Sequence, residues 1–402
     1  MTGPGIVVVG AGECGTRAAF TLREEGFDGA ITLVGAEPEL PYERPPLSKT
    51  WALRPLCDAA ALRDARIGLL RGVTATGLDP GAHRLDLSDG RALGYRSLLL
   101  ATGARARTLP FPGVHVLRTH ADAVALRAQL APGTRVGVIG GGFIGLELAG
   151  AASAIGCPVT VVELGPRLMG RAVPEEVATV LAARHVAAGV DVRCGAAVTA
   201  VSPGPSGTVI ALAGGGRVEV DVVVAGIGAV PETGLAERAG LAVGDGIVVD
   251  ERFATSAPGV FAAGDCCSYP HPTYGRLRLE SWRAAREQGA AAARAMLGGT
   301  EPWTGVPWFW SDQHDHSLQV AGIPGAAATE VVRQRPDGVR IWFGLGENGR
   351  VVAAAAAGPG NSVAKDVKLA EMLIARGATP PAADLADPGI ALKALLRVPV
   401  AV

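Results

Sequence analysis

The sequence predicts an α/β fold built from two Rossmann-like dinucleotide-binding domains and a C-terminal α+β domain. Two observations carry this. A glycine fingerprint occurs twice, each time set between a strand and a helix, and the patterning after residue 306 changes to short strands followed by helices. Composition agrees: apolar residues make up 49% and aromatics only 4%, as in Ala/Val/Leu/Gly-rich layers rather than an aromatic binding surface. A chain of 402 residues is long enough for two or three domains, each with its own core. The formal net charge of −1 gives no general pull toward nucleic acid or membrane.

The first fingerprint begins with the apolar run Ile6–Val9, of buried parallel-strand type. Gly10, Gly12 and Gly15 follow at G-x-G-x-x-G spacing, with Glu13 and Cys14 inside the turn, and a helical period runs on through residues 16–25. Gly10 permits the tight turn, Gly12 lets a pyrophosphate approach the backbone, and Gly15 lets helix pack closely on strand. The phosphates then lie at the helix N-terminus. Gly26 ends the helix. Residues 31–34 supply the second strand, and Glu37 stands about 20 residues past the turn, where an acid holds an adenosine ribose.

The second fingerprint repeats every part. Residues 135–139 form an apolar strand, Gly140, Gly142 and Gly145 make the turn around Phe143 and Ile144, and 146–155 is helical. The strand 160–162 then delivers Glu163. Two complete fingerprints predict two dinucleotides. A carboxylate at Glu163 accepts both ribose hydroxyls and repels a 2′-phosphate, so this site is expected to prefer NADH, with nearby Arg167 the one feature pointing the other way. The expected domains are 1–112 with 229–305, an inserted domain 113–228, and 306–402.

Other elements fill the frame. Short strands are expected near 71–78 and 83–87, with Asp89-Gly90 as a hairpin turn. A buried strand at 98–100 runs into Ala101, Thr102 and Gly103, small enough for close backbone approach to a ligand. The return strand of the inserted domain, 222–225, leads through Gly228 to Pro231. Residues 255–265 read as turn, strand and a terminal acid, Asp265, after Gly264. Glu280, Ser281 and Trp282 open an Ala-rich helix reaching about residue 297. Past a linker at 302–307, strands are expected at 321–323, 330–335, 340–343 and 350–356, and helices near 361–376 and 390–396.

The six cysteines show no C-x-x-C or paired metal spacing, and adjacent Cys266 and Cys267 rarely make an unstrained disulfide, so all are expected as free thiols. His314-Asp315-His316 cannot easily wrap one ion, the two histidines being expected on a strand where they merely share a face, and no metal site is expected. Without a charged-then-apolar leader or a long uninterrupted apolar stretch, the expectation is a cytoplasmic protein with no membrane partner. The proline-stiffened loop 41–49 carries Arg44 and Lys49. It reads either as a phosphate-pinning loop beside a redox ring or as a solvated surface loop.

The run Arg44-Pro45-Pro46-Leu47-Ser48-Lys49, the turn Gly140-Gly141-Gly142-Phe143-Ile144-Gly145-Leu146-Glu147 and the segment Phe261-Ala262-Ala263-Gly264-Asp265 together resemble one family: the FAD-dependent NADH:ferredoxin reductases of bacterial oxygenase systems, within the glutathione-reductase-like flavoproteins. The resemblance spans nearly the whole chain, with the motifs in the family's order. It implies FAD in the first site, near Gly10, Gly12, Glu13, Cys14, Gly15, Glu37, Arg44, Lys49, Ala101, Thr102 and Gly103. It also implies that Asp265, beside Gly264, bonds the ribityl chain. Gly140, Gly142, Phe143, Ile144, Gly145, Glu163 and Gly228 would hold NADH.

The resemblance further implies that Glu147 lies by the nicotinamide and pairs with Lys49, although on the residues alone Glu147 reads as an ordinary solvated helix face. Glu280, Ser281 and Trp282 would open a helix whose N-terminal end faces the flavin, a plain helix cap being the alternative. Trp310, within Trp308-Phe309-Trp310-Ser311-Asp312-Gln313, would lie between flavin and the partner's iron–sulfur centre. Glu232 departs from the asparagine usual in the family after the proline matching Pro231.

The implied reaction takes hydride from NADH onto FAD and passes single electrons to a [2Fe-2S] ferredoxin serving a cytochrome P450 or Rieske oxygenase. A rubredoxin acceptor, or an NADH-sensing flavoprotein related to apoptosis-inducing factors, are the alternatives. Residues 38–50 hold no cysteine, which disfavours a disulfide reductase and an NADH peroxidase or oxidase. Arg276, Arg278, Arg283, Arg286 and Arg294 are expected to offer a basic face to an acidic ferredoxin, a solvated arginine surface being the other reading.

Overall fold

Ile6–Val9 lacks polar alternation because both its faces are covered: all four residues are buried. It pairs in parallel with Ile31–Gly35 on one side and Ser97–Leu100 on the other. Val260–Ala262 and Ile67–Arg71 complete a five-stranded parallel sheet in the order 260–262, 97–100, 6–9, 31–35, 67–71. The helices Glu13–Glu24 and Trp282–Met296 pack on each other through small residues. A Cβ on Gly289 would stand 2.2 Å from the carbonyl oxygen of Cys14, so only glycine admits this approach.

The computed structural model describes residues 5–397, so the outermost residues of the two terminal domain expectations lie outside the described range. These residues gather into two units. One holds the chain up to Glu43 with Leu53–Arg105 and Ala229–Gly305; the other holds Arg44–Ala52, Ala106–Gly228 and the chain from Val306.

The second unit contains its own parallel sheet, in the order 114–115, 222–225, 136–139, 159–162, 191–193. The helix Phe143–Ile155 follows its central strand. An antiparallel ribbon, 198–204, 207–212 and 217–220, covers Ile139, Val162 and Val223 with Ile210 and Val220. In the same unit a five-stranded antiparallel sheet runs 308–313, 316–322, 351–359, 340–345, 329–334, and the helix Ala364–Arg376 packs Val367, Leu373 and Ile374 onto it.

Several local expectations change. The stiff loop carries a short helix, Pro45–Lys49, because prolines at the first helical positions remove N–H groups that have no intrahelical partner anyway. The strand expected at 71–78 is the end of Ile67–Arg71 and the start of Ala75–Asp79, divided at Gly72 (φ +66°). The Asp89-Gly90 hairpin is present, joining Arg84–Leu87 to Ala92–Gly94. His314 does not share a strand face with His316: it sits at φ +54° in the turn between Trp308–Gln313 and His316–Gly322. The helix Ala382–Ala386 has no counterpart among the sequence expectations.

All six cysteines are free. Among the described residues no helix is long and apolar enough to cross a membrane, and no cluster of His, Cys, Asp or Glu could hold a metal ion.

Candidate functional site

In the first unit, the fingerprint residues meet at the carboxyl ends of adjacent parallel strands, where α/β sheets take their ligands. Gly10 has φ +112°, and a Cβ there would lie 2.0 Å from the carbonyl oxygen of Ala101. A Cβ on Gly15 would meet Gly10 at 1.9 Å. Gly264 donates its N–H to Gln288 Oε1 at 2.9 Å and lies against Cys14. Gly10, Cys14, Gly15, Ala101 and Gly264 are thus brought together, and Asp265 follows directly. Gly12 is the N-cap of Glu13–Glu24; it offers no capping side chain, and nothing stands within 4 Å of where its Cβ would be. That open cradle over first-turn N–H groups fits a pyrophosphate.

Around this cradle, Glu37 accepts from the Tyr42 hydroxyl. Thr102 Oγ1 donates to the Glu232 carbonyl at 2.6 Å, and the Gly103 carbonyl accepts the Glu232 N–H at 2.9 Å. The departure at Glu232 therefore leaves this backbone clasp intact, and its carboxylate pairs with Arg105 at 3.0 Å. Glu13 Oε1 accepts from Arg286 at 3.1 Å, and Arg286 lies 5.6 Å above the ring of Trp282. Burial pushes the Glu13 carboxyl up, and Arg286 opposes that shift. Ser281 is a true helix cap, accepting from the Ala284 N–H at 3.2 Å, while Glu280 is held by Arg278 at 2.5 Å. Burial pushes the Cys14, Cys266 and Cys267 thiols up, which keeps them from acting as thiolates.

The second unit repeats the cradle. Gly140 has φ +104°, with the Gly226 carbonyl oxygen 2.5 Å from its would-be Cβ, and a Cβ on Gly145 would meet the Gly140 oxygen at 2.2 Å. Gly142 is an N-cap without a capping side chain, so the first turn of Phe143–Ile155 again fits a pyrophosphate. Ile144, beside it, is 45% exposed, an apolar side chain left open at the mouth of the turn. Phe143 packs on Phe309 with ring centroids 4.9 Å apart. Gly228, at φ +105°, accepts from the Arg107 N–H at 2.9 Å.

Glu163 is aimed by backbone: Oε2 accepts from the Gly141 N–H and Oε1 from the Gly165 N–H, both at 2.6 Å. Arg167 instead donates to the carbonyls of Leu168, Gly170 and Val173, at 3.4, 3.3 and 2.9 Å.

The same unit gathers Lys49, Glu147 and Trp310. Glu147 is not on a solvated helix face; it is 6% exposed. Its Oε1 accepts from Lys49 Nζ and from Ser311 Oγ at 2.6 Å, and its Oε2 accepts from Ser48 Oγ. A buried carboxylate requires such complete pairing. Lys49 Nζ also lies 3.8 Å from Asp312 and 5.8 Å from the Trp310 ring centroid. Trp310 stacks on Trp308 at 5.5 Å and donates its indole N–H to Asp312 at 3.0 Å. Arg44 donates to the Arg118 carbonyl at 2.5 Å.

Sequence reasoning missed Ser48 and Ser311 in this network, and behind them Gln313, whose amide donates to Ser311 Oγ, and His185, which meets Gln313 Oε1. One signal was readable: on the helix Glu175–Ala187 the buried positions are Val177, Ala178, Leu181 and His185, which puts the histidine on the apolar stripe. The expected basic face is compensated. Arg278 pairs with Asp245 and Glu280, Arg283 with Glu287, Arg286 with Glu13 and Arg294 with Glu25, while Arg276 donates to the Val249 and Ser268 carbonyls.

Comparison with known proteins adds to this geometry. Residues 4–289 match the family described as pyridine nucleotide-disulphide oxidoreductase, and residues 308–396 match the reductase C-terminal domain. The chain is 44% identical to the ferredoxin–NAD(+) reductase component of an anthranilate 1,2-dioxygenase system from Burkholderia cepacia, covering 98% of this chain and all of that protein. It is 42% identical to rhodocoxin reductase from Rhodococcus erythropolis, over 83% of this chain and 81% of the relative. Among solved structures, the covalent putidaredoxin reductase–putidaredoxin complex matches with a TM-score of 0.92 at 32% identity, covering 98% of this chain and 99% of that one.

Proposed function

Because this chain belongs to the pyridine nucleotide-disulphide oxidoreductase family, we propose that it is an NADH-dependent ferredoxin reductase acting in the cytoplasm. FAD, when bound, supplies the conversion of a two-electron hydride from NADH into single electrons for a [2Fe-2S] ferredoxin, which in turn serves a cytochrome P450 or Rieske oxygenase. The observation that carries the reading is the cluster of Lys49, Glu147 and Trp310: a buried ion pair beside stacked tryptophans, with no thiol in it.

Each part of the chain has a binding or positioning task. The segments 1–112 and 229–305 hold FAD through the cradle of Gly10, Gly12 and Gly15, with Glu37 on the adenosine ribose and Asp265 on the ribityl chain. The segment 113–228 holds NADH through Gly140, Gly142 and Gly145, and Glu163 takes both ribose hydroxyls. Lys49, anchored by Glu147, fixes a positive charge where the transferred charge develops. The segment 306–402 presents Trp310 toward the ferredoxin. Arg44 pins a phosphate, and Glu280, Ser281 and Trp282 set the N-terminal end of their helix, whose dipole favours negative charge. No side chain acts as a nucleophile.

The test is NADH-driven reduction of cytochrome c with and without added [2Fe-2S] ferredoxin. Reduction that requires the ferredoxin is expected. Equal rates without it, or NADH-dependent cleavage of glutathione disulfide in its place, would overturn the reading.

A further inference from the structure

A chain of side chains leads from the Glu147 carboxylate through the second unit to the hairpin turn at His314. Ser311 Oγ donates to Glu147 at 2.6 Å, and Gln313 Nε2 donates to Ser311 Oγ at 3.1 Å. His185 Nε2 stands 3.0 Å from Gln313 Oε1, and His314 Nε2 stands 3.0 Å from His185 Nδ1. Ser311 and His185 are 0% exposed and Gln313 is 1% exposed, so water does not substitute for the bonds from Glu147 to His185, while His314 is half-buried at the outer end. The members come from three elements: the helix Glu175–Ala187, the strand Trp308–Gln313 with its turn, and the helix Phe143–Ile155.

One charge fixes the direction of every bond. An ionised carboxylate only accepts, so the single Ser311 proton points at Glu147. Ser311 must then accept from the Gln313 amide, which turns Gln313 Oε1 toward His185. That oxygen demands a proton on His185 Nε2. Neutral His185 therefore accepts at Nδ1, and the proton between the two imidazoles lies on His314 Nε2. All four donors point toward Glu147. The packing is close, since a Cβ on Gly150, which is on the Glu147 helix, would meet the His314 backbone nitrogen at 3.3 Å and its Nε2 at 3.7 Å.

We propose that His185, Gln313 and Ser311 are positioning residues for the Lys49–Glu147 pair, a polarised buried chain that sets the orientation of the Glu147 carboxylate and through it the place of the Lys49 ammonium. This rests on the reductase reading, in which the ammonium stands beside the hydride transfer. Ordinary packing would need only an apolar residue of the same shape at these positions. A directional chain needs the donors and acceptors themselves.

The experiment compares His185→Leu, His185→Gln and Ser311→Ala in the purified flavoprotein. His185→Leu is expected to slow flavin reduction by NADH roughly 10-fold, with bound flavin and NADH affinity unchanged, because misplaced groups cost rate more than binding. His185→Gln restores both a donor and an acceptor and should return the rate to within about 2-fold. Ser311→Ala breaks the chain next to Glu147 and should match His185→Leu; it also serves if the leucine variant does not fold. A readout independent of turnover is the nitrogen NMR of labelled histidine: wild type should show His185 protonated at Nε2 alone, and Glu147→Leu should abolish that single tautomer.

A wild-type rate in Ser311→Ala, a glutamine variant as slow as the leucine variant, or an unchanged His185 tautomer in Glu147→Leu would overturn the proposal. If wild type does not oxidise NADH, the reductase reading falls, while the NMR comparison still decides whether the chain is polarised.

Discussion

Glu147 accepts from Ser48, Lys49 and Ser311, and consequences follow from removing any one of them. Lys49→Met leaves the carboxylate with two hydroxyl donors and takes the positive charge from the cluster. Stopped-flow reduction by NADH is expected to slow by about 10-fold or more while FAD stays bound, since a preorganised charge acts on the reacting state. Glu163 is aimed by the Gly141 and Gly165 N–H groups, so Glu163→Ala removes a fixed acceptor rather than a mobile side chain. Its kcat/KM for NADH should fall and the gap to NADPH should narrow; an unchanged ratio would place nucleotide selection elsewhere.

His185 gives a pH prediction at the same scale. Burial is the leading cause that lowers its pKa from the ordinary 6.5 to about 4. The unfolded chain takes up a proton near pH 6.5, whereas the folded chain waits until about 4, so this residue lowers stability as pH falls through that window, by at most about 1.4 kcal/mol per pH unit. The free energy of unfolding should therefore fall less between pH 7 and pH 4 in His185→Gln than in wild type, as denaturant midpoints at each pH would measure.

At the scale of elements, the first unit depends on two helices approaching closer than a side chain allows. Gly289 of Trp282–Met296 faces the Cys14 carbonyl of Glu13–Glu24. Gly289→Ala must push the helices apart and should cost about 1–3 kcal/mol, the usual range for overpacking. Thermal unfolding measures it, with Gly325→Ala as control, because nothing lies within 4 Å of a Cβ there. The short helix Pro45–Lys49 illustrates a second element-scale effect. Its prolines sit where helix N–H groups lack partners, so the segment stays rigid while Ser48 and Lys49 both reach Glu147.

At the scale of the whole molecule, charge is balanced in sum, and it is balanced locally on the face around the helix Trp282–Met296. The net charge is −1, and the arginines expected to form a docking face are engaged by carboxylates or carbonyls. Uncompensated charge is what steers association. Ferredoxin-coupled turnover is therefore expected to change less than about 3-fold between roughly 50 and 300 mM salt, since Debye screening acts on exposed, unpaired charge. A steep fall would show that an uncompensated basic surface exists elsewhere.

Both glycine turns, their strands, helices and terminal acids were readable in the sequence, because a βαβ fingerprint is a local object: Gly10, Gly12 and Gly15, like Gly140, Gly142 and Gly145, answer steric demands set within a few residues. The Ser281 cap and the Asp89-Gly90 hairpin were legible for the same reason. The pairing of Lys49 with Glu147 entered only through family resemblance, since on the residues alone Glu147 reads as an exposed helix position. Partners from far along the chain, Ser48, Lys49 and Ser311, make it a buried one. The same holds for Arg286, which reads as part of a basic face and is bound to Glu13. His185 shows the division most clearly: its place on an apolar stripe is written in helical spacing, but its proton is assigned through Gln313 and Ser311 by a carboxylate on another helix. Sequence determines what the backbone does over one or two elements; the ionisation and partner of a buried polar group depend on the tertiary field around it.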